Sequence, residues 1–88
     1  MKIKEGFIMK KLGTGYVVVS VGQASKDFNG MIRLNGTGAF LWQSILDGAD
    51  SREKLVQAML DRFDGLDEAT AGRDLDEFLG TIDFALDK

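Results

Sequence analysis

Ile32-Arg-Leu-Asn-Gly-Thr-Gly-Ala-Phe-Leu-Trp42 joins a short apolar run to a helix, and this junction decides the architecture. The run ends at Leu34, and Asn35 opens a helix carrying Ala39, Phe40, Leu41 and Trp42. Asparagine is a preferred N-cap because its side-chain oxygen accepts a free backbone N–H of the first helical turn. Gly36 and Gly38 weaken a helix, so their presence points to a tight junction where the helix folds back on the strand. Trp42, the chain's one tryptophan, is placed on that helix to anchor a small core.

Upstream, residues 7–12 and 16–21 are rich in β-formers and flank Gly13-Thr14-Gly15, which reads as a hairpin with a three-residue loop. Val17, Val19 and Val21 share one face, and Tyr16, Val18 and Ser20 the other. A polar loop over residues 22–27 leads to the turn signal Asn29-Gly30, so the third strand is short, about Met31 to Leu34. Ile32 and Leu34 are expected to face the core, with Met31 and Arg33 outward.

Downstream, the pattern changes to helical spacing. The first helix runs from Asn35 to about Leu46, with Phe40, Leu41, Ile45 and Leu46 as its stripe, and Asp47-Gly48 closes it. The second starts at Asp50 or Ser51 and carries Leu55, Val56, Met59, Leu60 and Phe63 before Asp64-Gly65. The third begins at Asp67 and is expected to reach the C-terminus, with Leu75, Phe78, Leu79, Ile82 and Leu86 on one face. Each helix has one apolar stripe, so the three must pack together and against one sheet face. The expected fold is α+β and winged-helix-like: a three-stranded antiparallel sheet followed by three helices, in one domain over residues 1–88.

The chain has 88 residues, 44% of them apolar, and carries neither cysteine nor histidine. That removes disulfides, zinc sites of the Cys/His kinds, imidazole acid–base work and the His-activated nucleophiles. No apolar run reaches the roughly 20 residues of a membrane helix, and the N-terminus lacks a signal-peptide pattern, so a cytoplasmic protein is expected.

Charge is distributed unevenly. Residues 1–33 hold six Lys and Arg against two Asp and Glu, whereas residues 64–88 hold two against eight. A nucleic-acid reader would place positive charge on its recognition helix; here the last helix is the most acidic. Attraction between the two halves within the fold is the alternative source of this asymmetry.

The acidic residues of the third helix, Asp74 and Glu77 among them, fall on its polar side rather than in a site that would separate their pKa values. They read as a solvated face. The segment from Asp61 to Glu68 lacks the ligand spacing of an EF-hand loop. Neither Gly13-Thr-Gly15 nor Gly36-Thr-Gly38 completes a phosphate loop. Gly72 and Gly80 lie along one stripe of the third helix, where each costs up to about 1 kcal/mol relative to Ala. Either something approaches this side closely, or context tolerates the cost. The third strand is the other exposed resource: a three-stranded sheet has two edges, and a free edge pairs readily with another chain.

The block Leu34-Asn35-x-Thr37-Gly38-Ala39-x-x-Trp42, with Leu46-x-Gly48, the amphipathic second helix ending at Phe63 and Asp74-Leu-x-x-Phe78-Leu79, resembles the PqqD family, named for a small protein of pyrroloquinoline quinone biosynthesis. The resemblance covers about residues 7–82. It implies a non-catalytic peptide chaperone without a cofactor of its own, the recognition element of ribosomal peptide modification pathways. Such a protein takes the leader of a precursor peptide as an added strand and presents it to a modifying enzyme, often a radical S-adenosylmethionine enzyme.

Carried onto this chain, the groove comprises Phe28, Met31, Ile32, Arg33 and Leu34, with Arg73, Asp74, Glu77, Phe78 and Thr81 opposite. Asn35, Gly38 and Trp42 are then structural. One departure stands out. Family members commonly close with Gly-Leu-Leu/Ile, but this chain has Asp83-Phe-Ala-Leu-Asp-Lys88, so a different final turn is expected. The implied protein is a monomer or weak homodimer that binds neither nucleic acid nor membrane. The rivals are a winged-helix DNA-binding regulator and a small self-associating structural subunit.

Overall fold

Three side chains start the three longer helices. Asn35 Oδ1 accepts the Gly38 N–H at 2.8 Å, Ser51 Oγ that of Lys54 at 3.2 Å, and Asp67 Oδ1 that of Thr70 at 2.7 Å. Each satisfies a donor that the first helical turn leaves without a partner. The computed structural model describes residues 1–27 and 30–87. In chain order its elements are β1 (Lys2–Ile3), β2 (Phe7–Leu12), β3 (Gly15–Ser20), α1 (Ala24–Asp27), β4 (Met31–Leu34), α2 (Gly36–Leu46), α3 (Arg52–Arg62), α4 (Glu68–Thr81), a 3-10 turn (Asp83–Ala85) and β5 (Leu86–Asp87).

Strands β2, β3 and β4 form an antiparallel sheet in that order. Leu12 pairs with Gly15, so the hairpin loop is Gly13-Thr14, one residue shorter than expected. Gly13, at φ +63°, supplies the left-handed residue that a two-residue turn needs. The register puts Met9, Val18 and Ile32 in one row and Tyr16 beside Leu34. This face packs on the helices, and Val18 is wholly buried there. The outer face carries the rows Ile8–Val19–Met31 and Lys10–Val17–Arg33. Ile32 and Leu34 therefore turn inward and Met31 and Arg33 outward, as alternation requires.

Trp42, Leu41, Leu55, Met59, Leu75, Ile82 and Val18 are the largest fully buried side chains. The Trp42 Nε1 has no hydrogen-bond partner among the described residues, so packing alone holds the ring. The stripe of α2 runs through Gly38, Leu41, Trp42 and Ile45. Leu46, expected within it, lies beyond this face and is 54% exposed.

Two further differences have local causes. Residues 22–27 are not all loop. Gly22 turns left-handed at φ +61°, and Ser25 Oγ donates to the Gly22 carbonyl at 2.7 Å, which closes the single helical turn α1. At the other end, α4 stops at Thr81 instead of continuing. Ile82 leaves helical geometry, Ala85 N–H donates to the Ile82 carbonyl at 2.8 Å, and β5 pairs with β1. This path buries Ile82, Ala85 and Leu86 and sets Phe84 edge-on to Phe7 at 5.3 Å. Among the described residues, no helix is long and apolar enough to cross a membrane.

The buried Trp42 generates a test. Trp42→Ala should lower unfolding free energy by about 3–5 kcal/mol, a large part of what a small domain has. Urea denaturation followed by far-UV circular dichroism measures it. An unchanged midpoint and slope would remove Trp42 from the core.

Candidate functional site

Among the described residues β4 hydrogen-bonds to β3 alone and forms one edge of its sheet. The connection at Asn35 sends α2 back beneath it. A Cβ on Gly38 would lie 3.3 Å from Leu34 Cβ and 3.4 Å from Asn35 Oδ1, so glycine permits the close approach that the sequence suggested. Beyond α2, α4 runs past the same side of β4, and an open cavity of about 440 Å³ separates them.

Arg33 and Leu34 line the strand side of this cavity, and Asp74, Glu77, Phe78 and Thr81 line the α4 side. Its remaining lining comes from Asn35, Thr37, Gly38 and Leu41. Phe78 and Leu41 are buried, while Asp74, Glu77 and Arg33 are exposed. None of these three charged side chains forms an ion pair among the described residues. Thr81 Oγ1 donates to the Glu77 carbonyl at 3.1 Å, which leaves its oxygen available as an acceptor.

Six of the ten residues named from the sequence thus surround one space. Met31 and Ile32 belong to the same strand but do not line the cavity. Arg73 lies on the neighbouring stripe of α4 and lines a separate cavity between α3 and α4, together with Arg52, Gly72 and Asp76. Phe28 lies outside the described residues, as does Asn29 of the expected turn. Thr37 and Leu41 were missed as cavity residues because the sequence placed α2 in the core without placing its first turn beneath the strand edge. Thr37 stood within the diagnostic block all the same.

On its far side α4 carries an exposed ion pair to α3. Arg52, at the start of α3, donates from Nε to Asp76 Oδ1 at 2.9 Å and from Nη2 to Asp76 Oδ2 at 3.0 Å. The same Nη2 reaches the Gly72 carbonyl at 3.4 Å. A Cβ at position 72 would lie 2.9 Å from that nitrogen, so the group approaching this part of the helix is the chain's own arginine. Gly80, by contrast, faces open space. The bond from Arg52 holds the Asp76 carboxyl below the usual carboxylate range. The Thr70 N–H does the same for the N-cap Asp67.

The family model described as Coenzyme PQQ synthesis protein D (PqqD) matches residues 15–83. Among solved structures, TbiB1 in complex with the TbiA(beta) leader peptide is similar, with a TM-score of 0.73 and 22% sequence identity. The likeness covers 94% of this chain and 88% of that one. At this identity it is a likeness of fold. No curated protein matches the chain.

Two tests follow from the way α4 is held. Gly80→Ala should raise stability by up to about 1 kcal/mol by removing the glycine cost at an unobstructed position. Gly72→Ala should gain less or lose, since Arg52 must shift; chemical denaturation ranks the two. The second test is pH. Because the folded pKa values of Asp76 and Asp67 lie below the ordinary 3.8, their contribution is complete above that value and is lost as pH falls through the folded values. The melting temperature should therefore drop below about pH 4, and less steeply in Asp76→Asn. An equal slope in that variant would show that the Arg52 pair contributes nothing.

Proposed function

The chain belongs to the PqqD family, and on that premise we propose that it is a peptide-binding adaptor. It takes the leader segment of a ribosomally made precursor as a fourth strand on β4 and presents the remainder to a modifying enzyme. The observation that carries this reading is the free edge of β4 standing beside a cavity walled by α4. An extended peptide there gains main-chain hydrogen bonds from Met31 to Leu34 and side-chain contacts from Asp74, Glu77, Phe78 and Thr81. The fold shared with TbiB1, which is solved with a leader peptide, supports it.

The other edge of the sheet suits the task less. β2 carries adjacent exposed lysines, Lys10 and Lys11, and lysine on an edge discourages strand addition. Arg73, which lines the cavity between α3 and α4, takes no part in the groove in this reading. The chain itself performs no chemistry in this reading. The modifying enzyme is taken to be of the radical S-adenosylmethionine class, as the family resemblance implies. The winged-helix order of elements does not favour DNA, because exposed Asp74, Asp76 and Glu77 on α4 would repel phosphates.

The test is an amide-shift titration with a synthetic leader from a short precursor encoded beside the gene for this chain. Shifts are expected at residues 31–35 and along the cavity side of α4, with α3 quiet. Shifts confined to the β2–β3 hairpin or to α3 would overturn the assignment. Duplex DNA titrated in parallel should show no salt-sensitive binding.

A further inference from the structure

We propose that the groove selects leader segments carrying a basic and an acidic side chain an odd number of positions apart, the basic one facing α4 and the acidic one beside Arg33. This rests on the strand-addition reading and gives it a substrate class.

The argument starts from period two. Side chains on β4 alternate, Ile32 and Leu34 to the helix face and Met31 and Arg33 to the outer face. A strand laid on the free edge of β4 alternates in the same way, so its neighbouring side chains join opposite faces. Those turned to the helix face enter the cavity, where Asp74 and Glu77 stand on the α4 wall without ion-pair partners among the described residues. Separated by three positions, these two carboxylates share one stretch of helix surface. The buried Phe78 and Leu34 beside them offer an apolar floor. Lysine or arginine matches both features, because its methylene stem covers apolar surface while its head reaches a carboxylate.

The outer face has the opposite sign. In the row Lys10–Val17–Arg33 two members are cationic and none is acidic. Arg33 is exposed at the end of that row, next to the free edge, and forms no ion pair among the described residues. An acidic side chain on the added strand would be its first directly opposed counter-charge, whereas a basic one would meet like charge. The incoming strand thus meets carboxylates on its helix-facing side and cations on its outer side, with Arg33, which also borders the cavity, at the edge between the two. A leader with the two charges on the same face satisfies only one wall.

A randomised library of about ten-residue peptides, selected on the full chain, tests the rule. Wild type should enrich Lys or Arg at an odd separation from Asp or Glu. Arg33→Glu should exchange the acidic preference for a basic one and leave the other unchanged. The pair Asp74→Lys and Glu77→Lys should exchange the basic preference for an acidic one. Each mismatch should weaken a selected peptide by about fivefold. All three positions are exposed, and unchanged melting temperatures confirm that the variants are folded. Peptides that shift the amides of residues 31–35 without any charge alternation, or preferences that the variants leave unmoved, overturn the charge rule while strand addition stands. Peptides whose shifts fall on α3 overturn strand addition and the rule together.

Discussion

At Asn35 the chain stops pairing and starts coiling, and the remaining architecture depends on how tightly it does so. One side-chain bond, from the Gly38 N–H to Asn35 Oδ1, closes the first turn. The missing Cβ of Gly38 lets that turn press against Leu34. With α2 held this close to β4, Leu41 and Trp42 reach the helix-facing side of the sheet and are wholly buried. A looser junction would lift α2 from the sheet and open the packing that excludes water from Trp42.

The second consequence concerns the groove. α4 contacts the core through Ala71, Leu75 and Phe78, while Arg52 grips its opposite side through Asp76 and the Gly72 carbonyl. The helix is thereby packed against the core on one side and tethered on the other by an exposed ion pair, which adds little to what the core packing already holds. The charges of that pair are on the α3 side, while Asp74 and Glu77 remain unengaged on the β4 side. The paired carboxylate and the two without an ion pair among the described residues are thus separated around a single helix.

Much of this was legible in the residues, for identifiable reasons. Asn35, Ser51 and Asp67 start helices through local side-chain chemistry, which spacing reveals directly. The strand Met31–Leu34 was readable from its flanking turn signal and the cap that follows. The C-terminus was not. Leu79, Ile82 and Leu86 keep helical spacing, yet Ile82 leaves the helix because β5 pairs with a partner more than eighty positions earlier. A two-residue strand such as β1 has too few positions for alternation to show. The hairpin loop was misjudged by one residue because Gly15 retains a strand partner, which a glycine-rich stretch does not advertise. Arg73 sits only one residue before Asp74, but a helix turns neighbours apart, and that separation sends it toward α3.

The shortness of β4 bears on what can pair with it. Its edge is four residues long, so any strand laid along it shares few main-chain bonds, and a short edge is one of the devices that limit edge-to-edge pairing. A segment that also fills the adjoining cavity gains contacts that a second β4 cannot offer. In the proposed reading the cavity therefore supplies most of the contacts to a bound segment, and the strand sets its alignment.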